Sequence, residues 1–122
     1  MNLEQKMLEV LSPLVGGNVF WDQTPDVAPK GDFILLSRPG GRAQWYVEQE
    51  LPDAKHARVQ VTAFSDRSAR REQLADLIEY AMCHGGFPAC EPQGSWQGFS
   101  HPTLKKYAAL WQFGVWYKPD VS

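Results

Sequence analysis

Cysteine is scarce in this chain: Cys83 and Cys90 are the only two in 122 residues. Two thiols cannot staple a domain of this size, so a disulfide framework is not expected to hold it together. Long apolar runs are missing as well, and no stretch approaches the length that crosses a bilayer, so no membrane partner is expected. The opening MNLEQKMLEVL sets acids among its apolar residues and lacks the uninterrupted apolar core of a signal peptide. On that reading the two cysteines are reduced thiols of a cytosol. Basic charge is not in excess either: 12 Lys and Arg stand against 14 Asp and Glu, a formal charge of −2. Such a chain has no general attraction for a phosphate backbone, and no specific nucleic-acid partner is expected.

Arrangements that carry chemistry are also lacking. Cys83, His84, Cys90 and His101 are the natural metal candidates, yet adjacent Cys83-His84 followed by wide gaps matches no zinc spacing. A small thiol beside a helix stripe is the plainer reading of Cys83. Successive helical residues diverge by about 100°, so Cys83 and His84 do not make a nucleophile and base. Nothing positions His56 or His101 as a base. PGGR reads as a turn, because it lacks the Lys-Ser/Thr and following helix of a phosphate-binding loop. Asp22, Asp26 and Asp32 surround one loop and read as solvated carboxylates. The expectation is a protein that is not an enzyme, with no catalytic residues, no metal and no cofactor.

What is present is an ordinary globular composition, 43% hydrophobic and 21% charged, enough to bury one core. Leu3, Met7, Val10, Leu11 and Leu14 fall at helical spacing, with Asn2 as N-cap and Pro13 and Gly16-Gly17 as the stop. NVFWD is a short strand, and Gln23 to Asp32 a loop rich in proline and polar residues. FILLSR and AQWYVEQ read as two strands joined by a PGG hairpin turn, and ELPDAK as a connection. HARVQVTAFS alternates cleanly, Val59, Val61 and Ala63 against Arg58, Gln60 and Thr62. Asp66 or Ser68 is expected to cap a second helix with the stripe Leu74, Leu77, Ile78, Ala81 and Met82, ended by Gly85-Gly86. Phe87 to Pro102 reads as a long loop with one short strand near Ser95 to Gly98. The last strand is YAALWQFGVWYK. Strands outnumber helices, so the fold class is α+β: a single domain, residues 1–122, with one mainly antiparallel sheet and two helices on one face.

That last strand poses a problem. Tyr107, Ala109, Trp111, Phe113, Val115 and Tyr117 share one face, but Ala108, Leu110, Gln112, Gly114 and Trp116 make the other face largely apolar too. Two helices cover one side of a sheet, and something else must shield the second. Five tryptophans in so short a chain point the same way, since large aromatics are enriched at interfaces. The candidate contact residues are Trp45, Trp96, Leu110 and Trp116, together with Arg67, Arg70 and Arg71. The arginines sit in the first turns of the second helix, where the dipole disfavours cations; they read either as a solvated face whose stems cover apolar surface or as a docking site for an acidic partner. A competing reading curves the second face into an aromatic small-molecule pocket lined by Trp45, Trp111 and Trp116.

The succession of pieces resembles a known family. A helix runs into LVGGNVFWDQTPDVAPKGDFILLSR, ARVQVTAFSDRSARREQLADLIEYAM joins a strand to an Ala/Leu helix, and LWQFGVWY closes the chain. This order is similar to that of the tail-completion proteins of long-tailed bacteriophages and prophages, also called tail-terminator or tail-to-head joining proteins. The resemblance implies a structural protein that self-associates into a ring, often a hexamer, although the free protein need not be one. It implies as partners the tail tube protein and a head-completion or neck protein. It also implies a place in the virion tail, after assembly in the host bacterial cytoplasm.

Overall fold

Leu3, Met7 and Leu11 recur every four residues, and in the computed structural model they form the buried stripe of α1 (Leu3–Leu11). The structure describes residues 3–22, 29–37, 50–51, 54–87 and 89–117. Pro13 ends the α-helix as expected, and the chain tightens into a 3₁₀ turn at Ser12–Leu14. Four strands follow: β1 (Val19–Trp21), β2 (Phe33–Ser37), β3 (Glu50–Leu51) and β4 (Ala54–Ser65). Helix α2 (Ser68–Cys83) leads to β5 (Ala89–His101) and β6 (Lys106–Tyr117).

Among the described residues, six strands form one sheet in the order β1-β2-β4-β6-β5, with β3 beside the start of β4. β4 and β6 are its spine, paired antiparallel from Lys55–Tyr117 to Ser65–Tyr107. β2 is antiparallel to β4, but β1 runs parallel to β2, so the sheet is mixed. Both helices pack on one face, over Val59, Val61, Ala63, Trp111, Phe113 and Val115. These are the odd-numbered positions of β4 and β6, as period-two alternation requires. α2 contributes Leu74, Ala75, Ile78 and Met82, while Leu77 stays 39% exposed.

Several expectations need correction. ELPDAK is not a bare connection, because Glu50–Leu51 pairs with Ala54–Lys55 and extends β4 past His56. The segment from Phe87 to Pro102 is mostly strand, not loop. β5 spends four positions, Gln93 to Gln97, where β6 spends two, Gln112 to Leu110. That bulge, with Gly94 at φ +85°, hides the alternation. Neither Asp66 nor Ser68 caps α2. The N-cap residue is Arg67, without a side-chain cap, and Asp66 is engaged elsewhere. The AQWYVEQ strand, its PGG turn and the Asn2 cap lie outside the described residues.

Candidate interaction surface

The sheet face away from the helices can be followed row by row, because paired residues on neighbouring strands share a face. Phe33, Phe64, Ala108 and Phe99 make one row across β2, β4, β6 and β5. Leu35, Thr62, Leu110 and Gln97 make the next, and Ser37, Gln60, Gln112 and Gln93 the third. Arg58, Gly114 and Glu91 follow on β4, β6 and β5. The face therefore grades from aromatic through amide to charged.

Its aromatic end covers itself. Phe33 and Phe64 stack with centroids 4.4 Å apart, and Phe20 meets Phe33 edge-on at 6.2 Å. Together with Ala108 they form a small second core, flanked by Leu35 and Leu104. His101 packs edge-on against Phe64, and its Nδ1 accepts the Leu104 amide at 3.1 Å. Farther along, Leu110, Gln112 and Trp116 are half-buried, and Glu91, Gln93, Gln97 and Phe99 are exposed. The protein thus supplies part of the cover over this side of its last strand.

Lys106 closes the aromatic end. Its Nζ lies over the Phe33 ring, 5.9 Å from the centroid, and donates to the Gly31 carbonyl at 2.9 Å and to Asp66 at 2.6 Å. Donation from Lys106 lowers the Asp66 pKa, against the opposing effect of burial and with the charge of Lys106 adding to it. Beside this pair, Arg70 donates to Asp32 at 2.7 Å and to Gln73 at 2.8 Å. Arg67, exposed, lines the same open groove with Asp32, Asp66, Arg70 and Gln73. Arg70 is thus committed within the chain rather than held out for a partner. Lys106 is itself buried and paired.

Arg71 is half-buried against β5 and β6. Its guanidinium lies 5.4 Å from the Trp96 ring centre and 5.7 Å from that of Tyr107. Its Nε is buried without a hydrogen-bond partner, so ring contacts take the place of one. Trp96 is no loop residue: it stands in the β5 bulge and packs toward the helix-side core. Arg71 and Trp96 therefore form an internal clasp between α2 and the edge strand.

The tryptophans do not converge on one pocket. Trp111 is 4% exposed on the helix face, whereas Trp116, five positions along the same strand, faces the other way. Leu110 and Trp116 do share the far face. Trp45 lies outside the described residues. Alternation made the far-face placement of Leu110 and Trp116 legible, and strand register puts Arg58 and Glu91 on that face as well. Arg58 was visible as the outward residue of a clean strand; Glu91 was hidden by the loop reading of its segment.

Among the described residues, no three His, Cys, Asp or Glu side chains converge as a metal site. Cys83 Sγ lies 3.8 Å from the Cys90 carbonyl oxygen. Burial, with the neighbouring Cys83 and Glu91 adding to it, pushes the Cys90 thiol up to about 12. Cys83 is raised too, by burial and then by Glu79. Neither is poised as a thiolate nucleophile. His84 stacks on Tyr80 at 4.2 Å and donates from Nδ1 to the Tyr80 carbonyl at 2.9 Å, closing the end of α2. Asp32 is held by Arg70, and Asp26 lies outside the described residues.

No protein-family model matches the chain, and no curated protein matches it. Among solved structures, a chain from the virion of a native gene transfer agent (GTA) particle has the same fold. The TM-score is 0.65 at 12% identity, over 96% of this chain and 95% of that one. A second solved chain matches at a TM-score of 0.48 and 15% identity, over 96% of this chain and 92% of its own, too distant in shape to add weight.

Proposed function

We propose that this chain is a structural virion protein that ends a tail tube and joins tail to head as a ring of identical subunits. The observation that carries the reading is the fold shared, nearly end to end, with a chain of a gene transfer agent virion. Its order of elements also resembles that of tail-completion proteins. The half-covered far face of β6 supports an assembling role, since apolar surface rimmed by polar residues marks interaction sites. The sheet edges support head-to-tail contacts: three-residue β1 and thirteen-residue β5 differ, so copies joined edge to edge would meet through unlike surfaces. Such contacts form a ring when the rotation closes.

In this reading the chain has no catalytic role, and its partners are the tail tube protein on one side and a head-completion or neck protein on the other. It acts in the virion tail after assembly in the host cytoplasm. Electron microscopy of the purified chain mixed with headless tail tubes tests it. The expected result is a ring at one tube end and a halt in tube growth. Tubes left bare and still elongating at saturating protein would overturn it. The pocket reading finds no support, because Trp111 and Trp116 face opposite sides of the sheet.

A further inference from the structure

Helix α2 lies along β5 and touches it at both ends. Near the start of the helix, Arg71 packs on Trp96 and crowds Gly98. At its last residue, Cys83 Sγ lies 3.8 Å from the Cys90 carbonyl oxygen. The helix thus runs antiparallel to the strand, and the second contact brings two free cysteines together. Cys90 pairs in register with Val115, and Val115 with Ala57, so its side chain belongs to the helix side of the sheet, where it packs against the core. Cys83 reaches the same place from the exposed end of α2. Six residues separate the two, and the turn among them is held by packing. A Cβ on Gly85 would stand 2.7 Å from the Ala81 carbonyl oxygen and 2.9 Å from Val10 of α1. The fold, and not sequence separation alone, therefore sets one cysteine beside the other.

We infer that Cys83 and Cys90 form a reversible redox site: exchange with a small disulfide of the glutathione type joins them and latches α2 to the edge strand. The exposed Cys83, as thiolate, attacks one sulfur of the small disulfide. A mixed disulfide forms, and one small thiolate leaves and takes up a proton. The Cys90 thiolate then attacks the Cys83 sulfur, which forms the protein disulfide and releases the second small thiolate. The two cysteines lose two electrons and two protons, and the small disulfide is reduced to two thiols. Closure asks Cys83 to turn about its side-chain bonds toward Cys90, a motion open to an exposed side chain. Burial keeps both thiols protonated at neutral pH, so each step quickens as pH rises. Cys90 is the more reluctant, and the mixed disulfide accumulates before the bond closes. The strand it secures is paired with β6 alone among the described residues and is broken by its bulge. If the chain assembles in a host cytoplasm, as proposed above, the pair stays open in that reducing compartment and closes in an oxidising medium. The site is tested on the chain alone, so its failure and that of tail termination are distinguishable.

Glutathione buffers of graded redox ratio, applied to the folded chain and to the chain in concentrated urea, supply the test. Peptide mass spectrometry should show a glutathione adduct on Cys83 first, and then a monomer lighter by two hydrogens with Cys83 joined to Cys90. Cys90→Ser should halt at the adduct, whereas Cys83→Ser should gain an adduct at least about tenfold more slowly, since its remaining thiol is largely buried. The effective concentration of the pair, read from the ratio of closed to open chain, should be at least about tenfold higher in the folded chain than in urea. By linkage, the closed chain should then resist denaturant better than the open one. Three results would overturn the inference: an adduct on Cys83 that never closes in the folded chain, chains linked to one another in preference to closing, or an effective concentration no higher folded than unfolded. The last would mean that the fold holds the two sulfurs apart and that sequence separation alone brings them together.

Discussion

Lys106 donates to Asp66 across 2.6 Å, and the two partners stand in opposite surroundings: the lysine side chain is 6% exposed and the aspartate 59%. The fold buries the cation and leaves its counter-ion at the water. Removing one partner is therefore not equivalent to removing the other.

Asp66→Ala leaves a buried ammonium with only the Gly31 carbonyl among the partners described above, and should cost about 1.5–3 kcal/mol. Lys106→Met keeps an apolar side chain in the buried site and returns Asp66 to solvent, so it should cost under about 1.5 kcal/mol. Urea denaturation of both variants decides the matter. A less stable methionine variant would show that the charge itself is needed.

The same pair predicts an acid limb. The folded pKa of Asp66 is depressed, so the stabilisation is in place above the ordinary carboxyl value of 3.8 and is lost as pH falls through the folded value. Melting temperatures of the unmodified chain and Asp66→Asn should differ at pH 5 and converge toward pH 2. A gap that persists at pH 2 would assign the difference to something other than ionisation.

Gly98 lets α2 approach the edge strand. A Cβ there would lie 3.0 Å from Arg71 Nη1 and 3.2 Å from the Trp96 ring. Gly98→Ala should therefore cost about 1–3 kcal/mol by overpacking. In an Arg71→Ala background that cost should shrink, since the crowded side chain has gone. Equal costs in both backgrounds would place the clash elsewhere.

Cys90 and Cys83 should differ in reactivity. With the Cys90 thiol pushed up to about 12 and Cys83 exposed, iodoacetamide at pH 8 should label Cys83 first, read by peptide mass spectrometry. A raised folded pKa also means that stability is full below the ordinary thiol value of 9.0 and declines as pH rises toward 12. Cys90→Ala should flatten that alkaline decline. Preferential labelling of Cys90 would contradict the burial.

The two tryptophans of β6 separate core from surface. Trp111→Ala should cost about 3–5 kcal/mol, because its ring is buried beneath the helices. Trp116→Ala should cost less, its ring being half-buried on the far face. Thermal melts of dilute protein rank them, and the reverse order would move the core to the other side of the sheet.

Where periodicity was unbroken, the fold could be read directly. The stripe Leu3, Met7, Leu11 gave α1, the alternation around Val59 and Val61 gave the spine strand, and both predicted one covered face. A bulge defeats such reading. The two extra positions between Gln93 and Gln97 interrupt the alternation without changing its phase, and Pro92 and Gly94 resemble a loop, so only the stretch near Ser95 to Gly98 was legible as strand. The arginines at the start of α2 were legible as a charge conflict with the helix dipole. Its resolution was not, because Asp32 lies 38 positions from Arg70.

Local pattern, then, was enough to establish an α+β domain whose last strand is apolar on both sides, since neighbouring residues alone set which way each side chain points. How far the second side is covered, and which charges are spoken for, depended on contacts between distant segments. Phe33 reaches Phe64, and Lys106 reaches Gly31, only once the strands have found their order. The row from Arg58 through Gly114 to Glu91 likewise exists only in the register of three strands, a property that no single stretch of chain encodes.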